Sequence, residues 1–254
     1  MPTVGAITSH IDVAQVVLYA FWIFFLGLVL YLRREDQREG YPLVSEEGPS
    51  KPGYFYPPEP KSYELAGGGV RKSNRPDRAD LPYRTTSGLI GMPIEPTVEP
   101  LKSGLGSGSY SNRVDEPDQT FDGHNRIVPT RVAGEYGVME GDQDPRGYTV
   151  IGSDGVPAGK VVDLWVDRAE FIFRYFEVEV EGAGGKRVLL PVGFTFVNNQ
   201  RKAVVVDSLR AAQFADVPTL KDPDQVTRLE EDKITAFYGG GYLYSSEQRA
   251  EPVL

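Results

Sequence analysis

EFIFRYFEVEV (Glu170–Val180) alternates as a β-strand does, and how its two faces are filled sets the class of the C-terminal half. Successive side chains of a strand point to opposite faces. One face carries Phe171, Phe173, Tyr175, Glu177 and Glu179. The other carries Glu170, Ile172, Arg174, Phe176, Val178 and Val180, and reads as the buried one. Yet that row begins with a carboxylate and a guanidinium. Four residues of extended strand separate two Cα atoms by about 13 Å, so Glu170 and Arg174 cannot pair along it. A buried unpaired charge is strongly disfavoured. Either Glu170 lies in the turn before the strand and both charges sit at a wet rim, or they point into a polar interface made with another chain.

Working outward, the same pattern repeats. RIVPTRVA (126–133) is a strand candidate. DPRGYTVIGSDGVPAGKVVDLWVD (144–167) reads as strand, turn, strand, with Ser153-Asp154-Gly155 as the turn. Gly182–Gly185 makes a hairpin loop, KRVLLPVGFTFV (186–197) returns, NNQRK turns, and AVVVDSL (203–209) is a further strand. Short strands at this spacing predict a small antiparallel barrel or sandwich, and a barrel would leave no exposed edges. SLRAAQFADVP holds one or two helical turns, ended by Pro218. DPDQVTRLEEDKITAFYGG is expected to be a helix, starting near Asp222 or Asp224 and ending before Gly239. Val226, Leu229, Lys233, Ile234 and Phe237 give it a stripe to pack on the barrel, and Glu230–Asp232 reads as a solvated face.

At the other end, VAQVVLYAFWIFFLGLVLYL (13–32) is long enough to cross the hydrocarbon core of a bilayer. It is longer than the apolar region of a signal peptide, and no Lys or Arg precedes residue 33. Asp12 is placed to cap this helix, and the cluster RREDQRE (33–39) ends the apolar run. The positive-inside bias puts the N-terminus outside and everything after Arg33 in the cytoplasm. Residues 33–120 are rich in Pro, Gly and Ser, which block helix and central strand. The interspersed Tyr54, Phe55, Tyr56, Tyr63, Leu65, Leu81, Tyr83, Leu89, Ile90 and Met92 are more than a disordered tether carries. The segment reads as extended chain ordered on another protein's surface.

Composition narrows the chemistry. A net charge of −9 argues against a nucleic-acid partner. With no cysteine there is no disulfide, thiolate ligand or Cys nucleophile, and two histidines, His10 and His124, cannot make a His-rich metal site. No phosphate-binding loop and no nucleophile elbow occurs. What remains is a scatter of ionisable groups: Asp122, His124, Arg126, Asp167, Glu170 and Arg174. From spacing, Asp122-Gly123-His124 is an Asx-turn with an exposed imidazole, or half of a divalent-ion site completed from elsewhere.

YLRREDQREGYPL after the apolar run, then DPRGYTVIGSDGVPAGKVVDLWVDRAE, RYFEVEV, LLPVGF and LEEDKITAFYGGGYLY, resemble the H-subunit family of purple-bacterial photosynthetic reaction centres. AGKVVDLWVD is also similar to the wider PRC-barrel family. The resemblance implies one transmembrane helix and a mainly β cytoplasmic domain at 121–245, with a C-terminal helix and a tail at 246–254. It implies a non-enzymatic subunit of the photosynthetic membrane that caps the L and M subunits, shields the quinone sites and assists proton delivery to the secondary quinone. Antenna polypeptides and membrane lipids are further expected contacts. The chain itself would bind no cofactor or metal; bacteriochlorophyll, bacteriopheophytin, quinones and non-haem iron would sit on L and M. Glu170 and Arg174, with Asp167, match residues on the proton route near the quinone. Asp122 and His124, with Arg126, match the surface where protons enter; FDGHNRI has one His where some members have two. The alternatives are a membrane-tethered PRC-barrel scaffold of another complex and an anchored enzyme.

Overall fold

The computed structural model describes residues 5–8, 11–38, 44–45, 48–49, 60–64, 68–72, 81–87 and 92–249. The chain divides into two compact units, Met1–Asp77 and Arg78–Leu254. In the first, helix α1 runs Val13–Gln37. Asp12 caps it as expected: its Oδ1 accepts the Gln15 N–H at 2.7 Å, satisfying a donor that a helix start leaves unpaired. Arg33–Gln37 continue the helix, so the charged cluster ends the apolar run without ending the coil. The span Val13–Asp36 is apolar and long enough to cross a membrane. Two antiparallel ribbons follow: β1 (Val44–Ser45) with β2 (Gly48–Pro49), and β3 (Ser62–Glu64) with β4 (Val70–Lys72). Tyr54, Phe55, Tyr56, Leu65, Leu89 and Ile90, which argued for an ordered connector, lie outside the described residues.

The second unit begins with a hairpin of β5 (Tyr83–Thr85) and β6 (Ile94–Pro96), then the single helical turn α2 (Pro100–Ser103). Leu101 and Leu105 are buried in the main core. The stretch read as extended connector to residue 120 therefore supplies core side chains near its end. Its proline and glycine content hid this, because burial here depends on what packs over the segment.

Seven strands form the main sheet: β7 (Ile127–Pro129), β8 (Thr149–Ile151), β9 (Pro157–Asp167), β10 (Ile172–Val180), β11 (Arg187–Pro191), β12 (Phe196–Asn198) and β13 (Ala203–Val205). The order is β11-β10-β9-β8-β13-β12. The long β9 is shared along its second edge, pairing β8 through its first half and β7 through its last three residues. All pairs are antiparallel except β8 with β13, which is parallel, a departure from the all-antiparallel expectation. The end strands of this path, β11 and β12, are joined by a 3-10 turn at Val192–Phe194, which breaks the run expected as one strand. Trp165, Leu164, Leu189, Leu190, Val150, Val178 and Val204 are sealed inside.

Helix α3 (Arg228–Tyr244) starts at Thr227, whose hydroxyl accepts the Glu230 N–H while the Glu230 carboxylate accepts the Thr227 N–H. This capping box, not Asp222 or Asp224, sets the start. The helix also runs past Gly239 to Tyr244. Gly240 and Gly241 serve close approach rather than termination: a Cβ on Gly241 would lie 2.4 Å from the Ser208 carbonyl oxygen, and one on Gly240 3.1 Å from the Gly108 Cα. Ile234, Phe237 and Tyr238 face the core, and Glu230 is buried rather than solvated.

Candidate functional site

Strand β10 has two irregularities in its pairing with β9, and they resolve the charged row. Phe173 pairs with Val166 and Tyr175 with Trp165, leaving Arg174 as the extra residue of a bulge. Glu170 lies in the turn before the strand. That turn brings Glu170 Oε2 to 4.0 Å from Arg174 Nη1, a contact that extended chain forbids. Both side chains are about half exposed, so the pair sits at the rim. Ile172, expected in the core, is 46% exposed, because it stands before the bulge at the open end of the sheet. Glu177, expected on the wet face, is only 4% exposed. From Tyr175 to Val178 both faces of the strand are covered.

The rim is organised by Asp167, the last residue of β9. Its Oδ1 accepts the N–H groups of Ala169 and Glu170 at 3.0 and 3.1 Å, which fixes the turn. β7 lies alongside, Ile127 opposite Asp167, and so places Arg126 against the carboxylate. Arg126 Nε donates to both Asp167 oxygens at 2.9 and 3.0 Å. Its Nη2 also makes a short contact with Glu170 Oε1, and its Nη1 reaches Asp118 Oδ2 at 3.4 Å. Burial alone would raise the proton affinity of Asp167. Hydrogen bonds from Arg126 and from the Glu170 and Ala169 N–H groups outweigh it and hold the carboxyl below its usual value. The Asp167 carboxylate first, and then that of Glu170, hold Arg126 firmly cationic. Phe171 closes the turn with φ +58°, an unusual backbone for a bulky side chain, and is 74% exposed.

Arg126 thus joins Asp167 and Glu170 in one cluster, although sequence reading assigned it to the surface group with Asp122 and His124. Those two sit in the exposed loop closed by the Gln119–Asn125 bridge, and neither side chain has a hydrogen-bond partner among the described residues. His124 and Arg168 line both of two shallow hollows. One also reaches Asp122, Ala169 and Phe171, so the loop borders the turn that carries Glu170. Among the described residues no three His, Asp or Glu side chains are grouped to hold a metal.

Two ionic groupings were not anticipated. Arg131 Nη1 contacts Asp163 Oδ2 at 3.0 Å and Glu177 Oε2 at 2.5 Å, and its Nε contacts Asp224 Oδ1 at 2.9 Å. Trp165 Nε1 and Arg187 Nη1 also donate to Glu177, at 2.9 and 3.2 Å. Tyr175 donates its hydroxyl proton to Glu231 Oε2 at 2.9 Å, across from β10 to α3. A carboxylate on an apparently wet strand face gives no local signal of such burial; only the packed elements do.

Residues 5–132 match the family model of the photosynthetic reaction centre, H-chain N-terminal region, and residues 137–213 match that of the PRC-barrel domain. The first covers half of the chain, including the apolar helix, and the second covers most of the sheet. The two matches abut in the order that the fold requires, and the chain belongs to the photosynthetic reaction-centre H-chain family.

Proposed function

We propose that this reaction-centre subunit is a non-enzymatic cap on the cytoplasmic side of the L and M subunits, with its N-terminus periplasmic, and that it shields the quinone sites and assists proton delivery to the secondary quinone. The observation that carries this reading is the rim of the sheet. There a half-exposed pair, Glu170 and Arg174, stands beside the exposed Phe171 and Ile172, at 74% and 46%. Apolar and charged groups exposed together suit an interface better than open water. Reducing a quinone in a dry pocket creates charge that protons must neutralise, and that needs relay groups nearby. Glu170 is the relay at the rim. Arg126 and Arg174 hold it, and Asp167 stays ionised to hold Arg126. Asp122 and His124, in the exposed loop that borders the Glu170 turn, collect protons at the neighbouring surface.

The test is Glu170→Gln in the assembled complex. The proton-coupled second reduction of the secondary quinone after a flash should slow. Unchanged kinetics across pH would remove Glu170 from the route.

A further inference from the structure

The turn that carries Glu170 also holds a bulky side chain in a backbone conformation that suits glycine. Arg168–Phe171 join β9 to β10, since Asp167 pairs with Ile172 across the mouth of this hairpin. Asp167 fixes the turn with backbone and side chain together. Its carbonyl accepts the Phe171 N–H at 2.8 Å, and its Oδ1 accepts those of Ala169 and Glu170. The last residue of the loop is thereby held at φ +58°. Glycine adopts that conformation freely, whereas it is costly for a residue with a Cβ. Among the described residues the other side chain at positive φ is Lys202, a flexible cation in the turn before β13.

Phe171 gains little within the chain in exchange. Its ring is exposed, and its one ring neighbour among the described residues is Tyr136, 6.0 Å away between centroids. These two rings and the exposed Phe121 line one hollow. Around them stand Asp122, His124, Glu135 and Arg168, whose side chains have no hydrogen-bond or ionic partner among the described residues. The Nε of Arg168 is also buried.

We infer that Phe171 anchors a protein interface: its ring enters an apolar socket on another subunit of the reaction-centre complex, beside an acceptor for Arg168. An aromatic centre inside a polar rim is the anatomy of protein–protein hot spots. Backbone strain of this kind gathers at binding surfaces, where the surrounding structure over-determines it. A bilayer surface is the poorer occupant. Segments that lie on lipid surround their apolar groups with cations, whereas here the carboxylates of Asp122, Glu135 and Glu170 stand with Arg168 and Arg174. The rim of a protein contact stays open to water, so Asp122 and His124 keep their access to protons. This rests on the capping part of the proposed function and adds which side chain holds the cap.

The experiment takes two readings on the full chain in detergent: its melting midpoint alone, and its affinity, by sedimentation, for reaction-centre complex from which this subunit has been removed. Phe171→Gly should melt no lower than the wild type, because the turn is relieved, yet reassemble about tenfold or more weakly. Phe171→Asn, whose side chain tolerates the same φ, should behave alike. Wild-type affinity in both variants overturns the inference. So does a midpoint lowered by more than about 4 °C in both, which would make the ring a support of this chain's own fold. Unchanged reassembly with weaker binding to phosphatidylglycerol vesicles would assign the ring to the membrane surface. Unchanged reassembly with lost self-association would assign it to a second copy, and either result overturns the inference. The kinetic test of Glu170→Gln is separate. Slowed quinone reduction alongside wild-type reassembly of Phe171→Gly sinks this inference alone. Weakened reassembly alongside unchanged quinone reduction supports it and sinks the delivery reading.

Discussion

Arg126 and Asp167 meet side on, the guanidinium Nε donating to both carboxylate oxygens at 2.9 and 3.0 Å, and this pair fastens β7 to the turn that carries Glu170. The Asp167 side chain is fully buried, and that of Arg126 is about a quarter exposed. Removing the carboxylate leaves a largely buried cation and two turn N–H groups without their acceptor. Asp167→Ala should cost about 2–4 kcal/mol, less than a fully buried pair because Arg126 retains some water. Denaturant unfolding of the full chain in detergent measures it, and a loss under about 0.5 kcal/mol, as for a surface site, would mean that the pair holds nothing.

The same carboxyl carries a pH signature. Its proton affinity is lower in the folded chain than in the unfolded one, so folding favours the ionised form. That contribution is complete above the ordinary Asp value of about 3.9 and disappears as pH falls through the depressed folded value. Stability of the wild-type chain should therefore fall on acidification below about pH 4, and Asp167→Asn should flatten that limb. Equal acid slopes for the two proteins would show that other carboxylates carry the effect.

The region where the fold was legible is the region where local chemistry decides. Ser153-Asp154-Gly155 forms its turn with Gly155 at φ +74°, Gly182–Gly185 its hairpin, and Asp12 its cap. The errors fall where tertiary contacts override the local pattern. A bulge at Arg174 shifts the alternation, α3 and Arg131 cover a face of β10 that reads as wet, and Gly240 and Gly241 of α3 pack closely while the helix runs on past Gly239. At the rim, Glu170 and Arg174 stand out by their charge in an apolar row, whereas Asp167 enters only as one of several scattered ionisable groups and through the resemblance. That Arg126 belongs with them needed the β7–β9 register, which brings residues 127 and 167 together.

The glycines of α3 separate propensity from packing. A Cβ on Gly239 would meet the Ser107 carbonyl oxygen at 3.6 Å, an ordinary contact, whereas on Gly241 it would lie 2.4 Å from the Ser208 carbonyl oxygen and 2.6 Å from Leu209 Cδ2. Gly239→Ala should gain up to about 1 kcal/mol from helix propensity. Gly241→Ala should lose about 1–3 kcal/mol, because backbone must shift. Thermal melts of the two variants decide it, and equal shifts would mean that the helix end is not held against residues 208–209.

Arg131 touches Asp163, Glu177 and Asp224 together. Arg131→Met keeps the aliphatic bulk beside Trp165 but strands two buried carboxylates, with Arg187 left to serve Glu177. The expected loss is about 3–5 kcal/mol. Adding Glu177→Gln to Arg131→Met should restore part of it, since the stranded charge is then gone. A double variant no more stable than Arg131→Met would show that the loss comes from packing against the indole ring rather than from charge.

His124 and Glu170 differ in how replaceable they are. The imidazole is exposed and unpartnered among the described residues, and the hollows it lines also hold the carboxylates of Asp122, Glu135, Asp222 and Asp224. Several of these can accept a proton from water if it is lost. Among the described residues, Glu170 is the one rim carboxylate within reach of both Arg126 and Arg174. His124→Ala should therefore slow the proton-coupled reduction of the secondary quinone less than Glu170→Gln does. Its effect should grow as pH rises, where free protons are scarcer and collection at the surface matters more. Flash kinetics of both variants over a pH series make the comparison. A larger effect from His124→Ala at every pH would place the bottleneck at the surface loop and reverse the order of the two groups.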